Sequence, residues 1–406
     1  MARLLAKLLI VTTVLTSVAS ALPHQRKQKA PATVGKAVYF LTNDAENAVV
    51  ALPIGKDGTL SAGTVTKTGG AGANSIDGAT KQPAVPDALV GQSALTVVGN
   101  ALFAVNAGSN TLTMMAISKS DPTCLTMVGQ PVAIPGEFPN TVAASAKNKL
   151  ACVGTTGAKA GISCASISAR GLGEMDTLRV FNIGQTTPPV GPTNTVSQTF
   201  FSADEKALLT TVKGDPAVNN TGFLSVFPVQ QGANGAASLS TQDTRSSPAG
   251  TAVLFGSATI PNNPNSIFVT DASFGATVLS LDQNGQASVA GKQAIDGQKA
   301  TCWATVSGAT NTAFVTDVAT NRVVEMSLDD ASIVSMLDLS ANGDAGLIDL
   351  RSAGNFVYAL SPGNGTTDAA VTVLDVSGGP GSMKQAQHFG LAGMAGANAQ
   401  GMAVLV

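Results

Sequence analysis

The stretch AVYFLTNDAENAVVALPIGKDG, which begins at Ala37, decides the fold because much of the remaining chain repeats its pattern. An apolar strand is followed by a turn of Asn, Asp, Gly, Ser or Thr, then by a second alternating strand and a polar turn. Six further segments follow this pattern, beginning at Ala101, Leu150, Ala207, Ser266, Thr312 and Phe356. Seven hairpins, spaced roughly 44–64 residues apart, indicate the blades of a β-propeller with loops of variable length.

Six of the hairpins are preceded by one more short strand, and each is followed by room for a ragged fourth strand. The preceding strands are predicted at residues 95–98, 141–145, 199–202, 252–256, 302–306 and 347–350. The first hairpin has no such strand before it, but the chain ends in one, GMAVLV at residues 401–406. We therefore predict an all-β, seven-bladed β-propeller whose ring is closed by the C-terminal strand pairing into the first blade, since an unpaired apolar edge would invite aggregation. The alternative, two stacked β-sandwich domains, needs a linker that the sequence does not show.

The N-terminus has the layout of a secretory signal. Residues 1–21 contain two early positive charges, an apolar run too short to span a bilayer, and a small-residue stretch ending in Ala21. We expect cleavage after Ala21, a pro-segment or disordered tail at residues 22–35, and the propeller at residues 36–406. The expected location is therefore secreted, either extracellular or in the cell wall.

The composition narrows the class of partner. Only 12% of residues are charged and the net charge is −2, with no basic stripe, which argues against nucleic acid as a partner. No apolar run is long enough for a membrane span, and we expect a monomer. Asn219 and Asn364 begin N-glycosylation sequons, which a signal peptide makes credible.

Four cysteines are an even number for an oxidising compartment. Cys152 and Cys164 lie on the two arms of one hairpin, where antiparallel pairing can bring them opposite each other, so we predict a disulfide. Cys124 and Cys302 are expected far apart on the ring, so a bridge between them is disfavoured. No CxxC or HxxxH spacing occurs, and we predict neither a metal site nor a cofactor, although a divalent cation in the central channel stays open.

In a propeller, the loops leading into the innermost strands and the turns joining the second and third strands share one face, which we call the loop face. Sites usually lie on it, around the central channel. The candidate ligand-binding residues of this face are Glu137, Lys213, Asp215, Asp271 and Asp317. The competing interpretation is that the aspartates simply make turns. The turn interpretation explains Glu137 and Lys213 less well than the aspartates. We predict that the side chains of these two residues meet near the channel mouth.

The hairpins resemble those of the lactonase, or YVTN, superfamily of seven-bladed propellers. The motifs GEFPNTVAAS (136–145), ACVGTTGAKAGISC (151–164) and QTTPPVGPTNTVSQTFFSADEKALLTTVKGDP (185–216) resemble its secreted fungal 3-carboxymuconate-cyclase-like branch. The resemblance covers nearly the whole mature chain. It implies a histidine, a glutamate and arginines at the channel of active relatives. The histidine His388 falls in a predicted outer strand, so no catalytic residue is carried over and the catalytic residues stay unknown.

Two classes of function remain open. The first is a secreted binding protein that grips a small carboxylated ligand, or a host or cell-wall surface partner, with its loop face. The alternative is a lactonase or carboxymuconate-cyclase-like enzyme that acts on a small carboxylated lactone or muconate. The lack of a matching histidine favours the first, and a metal ion in the channel would favour the second. A Glu or Lys could take the place of the histidine in acid–base chemistry, but the sequence does not demand it. The role of the only tryptophan, Trp303, is expected to be core packing.

Overall fold

Each sequence repeat forms one antiparallel sheet, because β-branched and small apolar residues suit crowded, buried strands. The computed structural model describes residues 34–232 and 235–406. The predicted signal peptide and residues 22–33 of the predicted pro-segment lie outside the described residues. Within those ranges the helical segments are three short 3-10 turns, namely Pro216–Val218, Val318–Thr320 and Ser340–Asn342.

The seven sheets radiate from a central channel. In blades 2 to 7 the chain runs from the innermost strand outward, and in blade 1 the innermost strand comes from the end of the chain. Blades 1 and 2 contain Gln400–Leu405, Ala37–Leu41, Ala48–Pro53 and Thr64–Lys67, then Leu95–Val98, Ala101–Asn106, Thr111–Ile117 and the outer pieces Leu125–Met127 and Val132–Ala133. Blades 3 and 4 contain Pro139–Ser145, Leu150–Thr155, Gly161–Ser168, Gly171–Leu172 and Arg179–Val180, then Val196–Phe201, Ala207–Val212, Phe223–Gln231, Ala237–Leu239 and Thr244–Ser246.

The remaining blades each have four unbroken strands. Blade 5 contains Leu254–Ile260, Asn263–Asp271, Gly275–Leu281 and Ala287–Ala294. Blades 6 and 7 contain Thr301–Ser307, Thr312–Asp317, Arg322–Ser327 and Ile333–Asp338, then Ile348–Ala353, Phe356–Ser361, Ala370–Asp375 and Lys384–Gly390. One small parallel pair, Ile76–Asp77 with Val190–Gly191, joins two loops of the loop face. The ragged outer strands of blades 2, 3 and 4 match the sequence prediction.

The ring closes as predicted. Gln400–Leu405 pairs antiparallel with Ala37–Leu41, with Val38 opposite Val404 and Tyr39 opposite Ala403. The same strand contacts the innermost strands of blades 7 and 2, so the innermost strands meet in chain order around the channel. The C-terminal strand therefore completes both the first blade and the ring.

Neighbouring blades pack through apolar side chains and through two buried tyrosines. The Tyr39 hydroxyl of blade 1 donates to the Pro122 carbonyl oxygen of blade 2 at 2.7 Å. The Tyr358 hydroxyl of blade 7 donates to the Gly58 carbonyl oxygen of blade 1 at 2.9 Å. Each tyrosine buries its ring in the core and satisfies its polar end on the next blade, which fixes adjacent blades relative to each other.

The cysteines follow the sequence predictions. Cys152 and Cys164 lie opposite each other on adjacent strands of blade 3 and form a disulfide. Cys302 is a buried free thiol and Cys124 an exposed one. The disulfide therefore crosslinks one hairpin, and no bridge joins blades 2 and 6.

Two sequence expectations concern the surface. Both sequon asparagines, Asn219 and Asn364, have exposed side chains and so are accessible to modification. Among the residues that the structure describes, no helix has the length and apolar character needed to cross a membrane.

Deletion of residues 401–406 is expected to abolish cooperative unfolding, because blade 1 loses its innermost strand and its buried edge groups lose their partners. Deletion of Val406 alone is the control, since this residue is 60% exposed and lies beyond the paired strand. Urea unfolding followed by tryptophan fluorescence compares the variants. A six-residue deletion that unfolds like the full chain would contradict ring closure as a stability requirement.

Candidate functional site

The central channel is blocked midway by residues 89–93, which we call the channel segment and which precede the innermost strand of blade 2. The backbone NH of Gln92 donates to the Ser197 carbonyl oxygen of blade 4 at 2.8 Å. Its side-chain amide pairs with the backbone of Ala304 in blade 6, donating at 2.8 Å and accepting at 3.1 Å. The indole NH of Trp303 donates to the Gly91 carbonyl oxygen at 3.3 Å. The segment is thus hydrogen-bonded to strands on the far side of the channel.

Glycines stand where the channel segment passes close to the innermost strands of other blades, because a larger side chain would not fit there. A Cβ atom on Gly91 would lie 2.6 Å from the Asn140 side-chain nitrogen and 2.7 Å from the Ser197 carbonyl oxygen. A Cβ atom on Gly256 of blade 5 would overlap the Gln92 side chain. Val90 has a φ of 48°, a left-handed conformation that is costly for a β-branched residue. The surrounding hydrogen bonds must therefore hold the segment in place.

The channel segment separates two cavities. The loop-face cavity has a volume of about 420 Å³ and is lined by residues that include Val90, Lys213, Cys302 and Trp303. The opposite-face cavity, of about 450 Å³, is lined by residues that include Ser93 and Arg351. The Arg351 guanidinium is already bound to the buried Asp349 carboxylate at 2.6 Å.

The loop-face cavity has largely apolar walls and a buried lysine at its base. Lys213 is 1% exposed, and its ammonium nitrogen donates to the Val90 carbonyl oxygen at 2.6 Å. The same nitrogen lies 4.2 Å from the centre of the Phe255 ring, which itself meets Trp303 edge-to-face at 4.9 Å. The lysine charge is thus held by a carbonyl oxygen and the face of an aromatic ring.

Asp87 lines the same cavity, and no salt bridge joins it to Lys213 among the described residues. Burial raises the pKa of Asp87, with the Lys213 charge opposing the shift. Burial lowers the pKa of Lys213, with Asp87 and Cys302 opposing it. The Oδ1 atom of Asp87 is buried without a hydrogen-bond partner. The two groups therefore titrate closer to neutrality than an exposed aspartate and lysine do.

Cys302, Asp77 and Lys299 are the other titratable residues of the cavity wall. Burial raises the pKa of the Cys302 thiol, and nearby Asp87 adds to that effect. The thiol therefore stays protonated at neutral pH and is a poor nucleophile.

Of the five ligand-binding residues predicted from the sequence, Lys213 lines the loop-face cavity. Asp271 instead accepts hydrogen bonds from the backbone NH groups of Ala252 at 2.8 Å and Val253 at 3.1 Å. Asp317 accepts from the backbone NH groups of Lys299 at 3.0 Å and Ala300 at 2.9 Å. Both aspartates thus hold loops that form the cavity wall, which is the turn role weighed in the sequence analysis.

Asp215 and Glu137 also lie outside the loop-face cavity. The Asp215 side chain accepts from the Ala217 backbone NH at 3.1 Å and so caps the 3-10 turn Pro216–Val218. Glu137 accepts from the Thr187 hydroxyl at 2.6 Å and forms a salt bridge with Lys159 at 3.2 Å. These contacts, with the Thr187 hydrogen bond the larger effect, lower the pKa of Glu137.

The predicted meeting of Glu137 and Lys213 is therefore wrong. Lys213 does begin the loop that follows the second strand of blade 4, but its ammonium group contacts the Val90 carbonyl oxygen of the channel segment, whereas Glu137 contacts Thr187 and Lys159. His388 behaves as predicted and lies on the outermost strand of blade 7, where its Nε2 atom contacts the Asp344 carboxylate at 2.9 Å.

Sequence reasoning missed Asp87, Phe255 and the contact of Trp303 with the channel segment. The sequence did contain one signal for Asp87. The interval between the first and second hairpins is the longest between consecutive hairpins, and it contains KQPAVPDALVGQS at residues 81–93. An insertion of this length before an innermost strand can reach the channel. The interpretation of Trp303 as core holds, because it is 1% exposed and packs in the largest apolar cluster.

The structure gives no support for a divalent cation in the central channel, which the sequence analysis left open. Within residues 34–232 and 235–406, no three His, Cys, Asp or Glu side chains form a group that could hold a metal ion.

Comparison of the sequence with protein-family models and with curated proteins gives no match. Solved structures share the fold. A periplasmic gluconolactonase from Pseudomonas aeruginosa is 14% identical, with a TM-score of 0.63 over 91% of this chain and 99% of that chain. A candidate 6-phosphogluconolactonase from Bacteroides uniformis is 14% identical, with a TM-score of 0.53 over 70% and 80%.

A protein of unknown function from Desulfotomaculum acetoxidans is 13% identical, with a TM-score of 0.56 over 91% and 98%. At these identities the likeness concerns the fold alone. Two of these three neighbours carry lactonase names, and what they share with this chain is the propeller fold.

Replacing Gln92 with Leu keeps the side-chain size but leaves the buried backbone NH and carbonyl of Ala304 without their partner. We expect the free energy of unfolding in urea to fall by about 2–6 kcal/mol, since two buried groups lose their partner and each costs roughly 1–3 kcal/mol. Gln242→Leu is the control, because the Gln242 residue is exposed. Equal unfolding free energies for the two variants would show that the channel segment is not fixed by this amide.

Proposed function

We propose that this chain is a lactonase-type enzyme that opens or closes a small, mostly apolar lactone in the loop-face cavity. The observation that carries the proposal is the presence of Asp87 and Lys213 in one cavity, with their pKa values shifted toward each other by burial. General acid–base catalysis works best with groups that titrate near the working pH. The lactonases among the structural neighbours support the proposal only through the shared fold.

The two side chains divide the chemistry of ring opening. The Asp87 carboxylate takes a proton from a water molecule as the water oxygen attacks the lactone carbonyl carbon. The Lys213 ammonium stabilises the negative charge that develops on the carbonyl oxygen, then donates a proton to the ring oxygen as the ester bond breaks. The product is the open hydroxy acid, and the same groups with exchanged roles close the ring.

The walls limit which ligand can bind. Phe255, Trp303, Val253 and Pro192 present apolar surface, and Asp87 and Lys213 add charged groups to the same lining. The cavity volume of about 420 Å³ suits a small-molecule ligand. We therefore propose a monocyclic lactone whose carbonyl oxygen faces Lys213.

The binding protein of the sequence analysis is the second candidate function. One contact favours it. The hydrogen bond to the Val90 carbonyl oxygen fixes the Lys213 ammonium group in the cavity wall, where it can bind a carboxylate as a fixed positive charge without transferring a proton. In this case the chain binds a small carboxylated ligand, or a surface partner, without turning it over. Secretion, glycosylation at Asn219 and Asn364, and a place outside the cell or in the cell wall belong to both proposals.

The test is a screen of the purified chain with small lactones and carboxymuconates, followed by variants. We expect Asp87→Asn and Lys213→Met each to lower kcat by at least about 10²-fold, since each removes one acid–base group. Glu137→Gln is the matched control. Because Glu137 lies outside the cavity, the kcat of this variant should equal that of the unmodified chain. Thermal unfolding checks that each variant is folded. Unchanged turnover in the folded Asp87→Asn and Lys213→Met variants would contradict the proposal.

The pH profile gives a second readout. The active form has Asp87 deprotonated and Lys213 protonated, so kcat/KM rises with pH through the pKa of Asp87 and falls through the pKa of Lys213. Because burial raises the first pKa and lowers the second, both limbs should lie closer to neutral pH than for exposed groups. Carboxylate binding that is lost in Lys213→Met, with no turnover of any lactone, would favour the binding protein instead.

A further inference from the structure

We propose that Lys213 also forms a Schiff base with small aldehydes or ketones that enter the loop-face cavity. The inference rests on the cavity of the proposed function, but it does not require lactone turnover. Its basis is geometric: a buried lysine amine lines the loop-face cavity, against an aromatic ring, and no salt bridge joins it to an anion among the described residues.

The surroundings of the amine favour its neutral form. The Lys213 nitrogen donates to one carbonyl oxygen, that of Val90, and faces the Phe255 ring at 4.2 Å. Neither contact replaces the hydration that an exposed ammonium keeps, so burial lowers the pKa of Lys213. A desolvated lysine of this kind is a nucleophile at a pH where exposed lysines are almost fully protonated.

The neighbouring carboxyl can move the proton that the reaction releases. The neutral Lys213 nitrogen adds to the carbonyl carbon and forms a carbinolamine. The Asp87 carboxylate accepts one proton from nitrogen and returns it to the former carbonyl oxygen, which becomes the hydroxyl of the carbinolamine. It then accepts the second N–H proton and passes it to this hydroxyl, which leaves as water as the C=N bond forms. The unpartnered Oδ1 atom of Asp87 is available for this transfer. No oxidant, reductant or metal is needed for the imine itself.

The other titratable side chains of the wall do not compete. Cys302 is held as a thiol by burial, and its adducts with aldehydes are not fixed by reduction. The Lys299 residue is exposed to solvent, so its amine keeps its hydration, and the Asp77 carboxylate already accepts a hydrogen bond from the Thr80 backbone NH at 2.6 Å. The apolar walls select a carbonyl compound with an aromatic or aliphatic body, such as benzaldehyde.

The experiment incubates the folded full chain with benzaldehyde at mildly alkaline pH, adds cyanoborohydride, and maps the modified lysines by mass spectrometry. Lys159 and Lys206 serve as internal controls, since their side chains are 66% and 78% exposed. We expect Lys213 to be modified at least about tenfold faster than either, because one unit of pKa depression raises the neutral fraction tenfold. Cys302→Ala should keep this preference, and unfolding in urea should remove it.

The outcomes separate this inference from the proposed function. Preferential labelling of Lys213 supports the Schiff base whether or not any lactone is turned over. Labelling of Lys213 no faster than Lys159 and Lys206 in the folded chain overturns it, even if lactone hydrolysis is found. A preference that persists in urea also overturns it, because the reactivity would then not come from the folded cavity.

Discussion

The buried carboxylate of Asp349 holds the point where the ring closes. It accepts hydrogen bonds from the backbone NH of Met402 in the closing strand at 2.8 Å and from the Gln92 side chain in the channel segment at 3.2 Å. Arg351 balances its charge at 2.6 Å. Burial raises the pKa of Asp349, and Arg351 opposes that shift. One side chain thus connects blade 7, the closing strand of blade 1 and the segment that enters blade 2, so ring closure and the channel segment depend on the same buried carboxylate.

The channel segment in turn makes the site. Its backbone accepts hydrogen bonds from Lys213 and Trp303, which makes it the floor of the loop-face cavity. The unfavourable φ of Val90 is offset by these bonds and by the Gln92 amide, since a strained residue of this kind costs about 1–3 kcal/mol. Such strain persists only where the surrounding contacts over-determine the backbone. The blocked channel also means that the two faces of the propeller present separate cavities.

Few residues of this chain are charged, and the carboxylates discussed above mostly bind nearby backbone NH groups or cations. Asp271 and Asp317 bind backbone NH groups of the loops, and Glu137 is paired with Lys159. Lys213 and Asp87 differ because neither has a direct charged partner among the described residues and both face one cavity. The contrast separates carboxylates that shape the propeller from the pair that can carry chemistry.

The sequence by itself determined the blades, the closing strand, the disulfide and the outer position of His388. The blades, the disulfide and the position of His388 depend on local alternation or on hairpin register, because neighbours in an antiparallel hairpin are neighbours in sequence. The closing strand pairs opposite ends of the chain, and it was found because the first hairpin had no strand before it and the chain ended in an unassigned apolar strand. The Cys152–Cys164 bond is of this kind, with a sequence separation of 12. The site was decided only by the tertiary structure, because Val90 and Lys213 are 123 residues apart and meet through the curvature of the whole ring. No local pattern encodes which loop crosses the channel, so Lys213 was found as a candidate while Asp87, its partner across the cavity, was not.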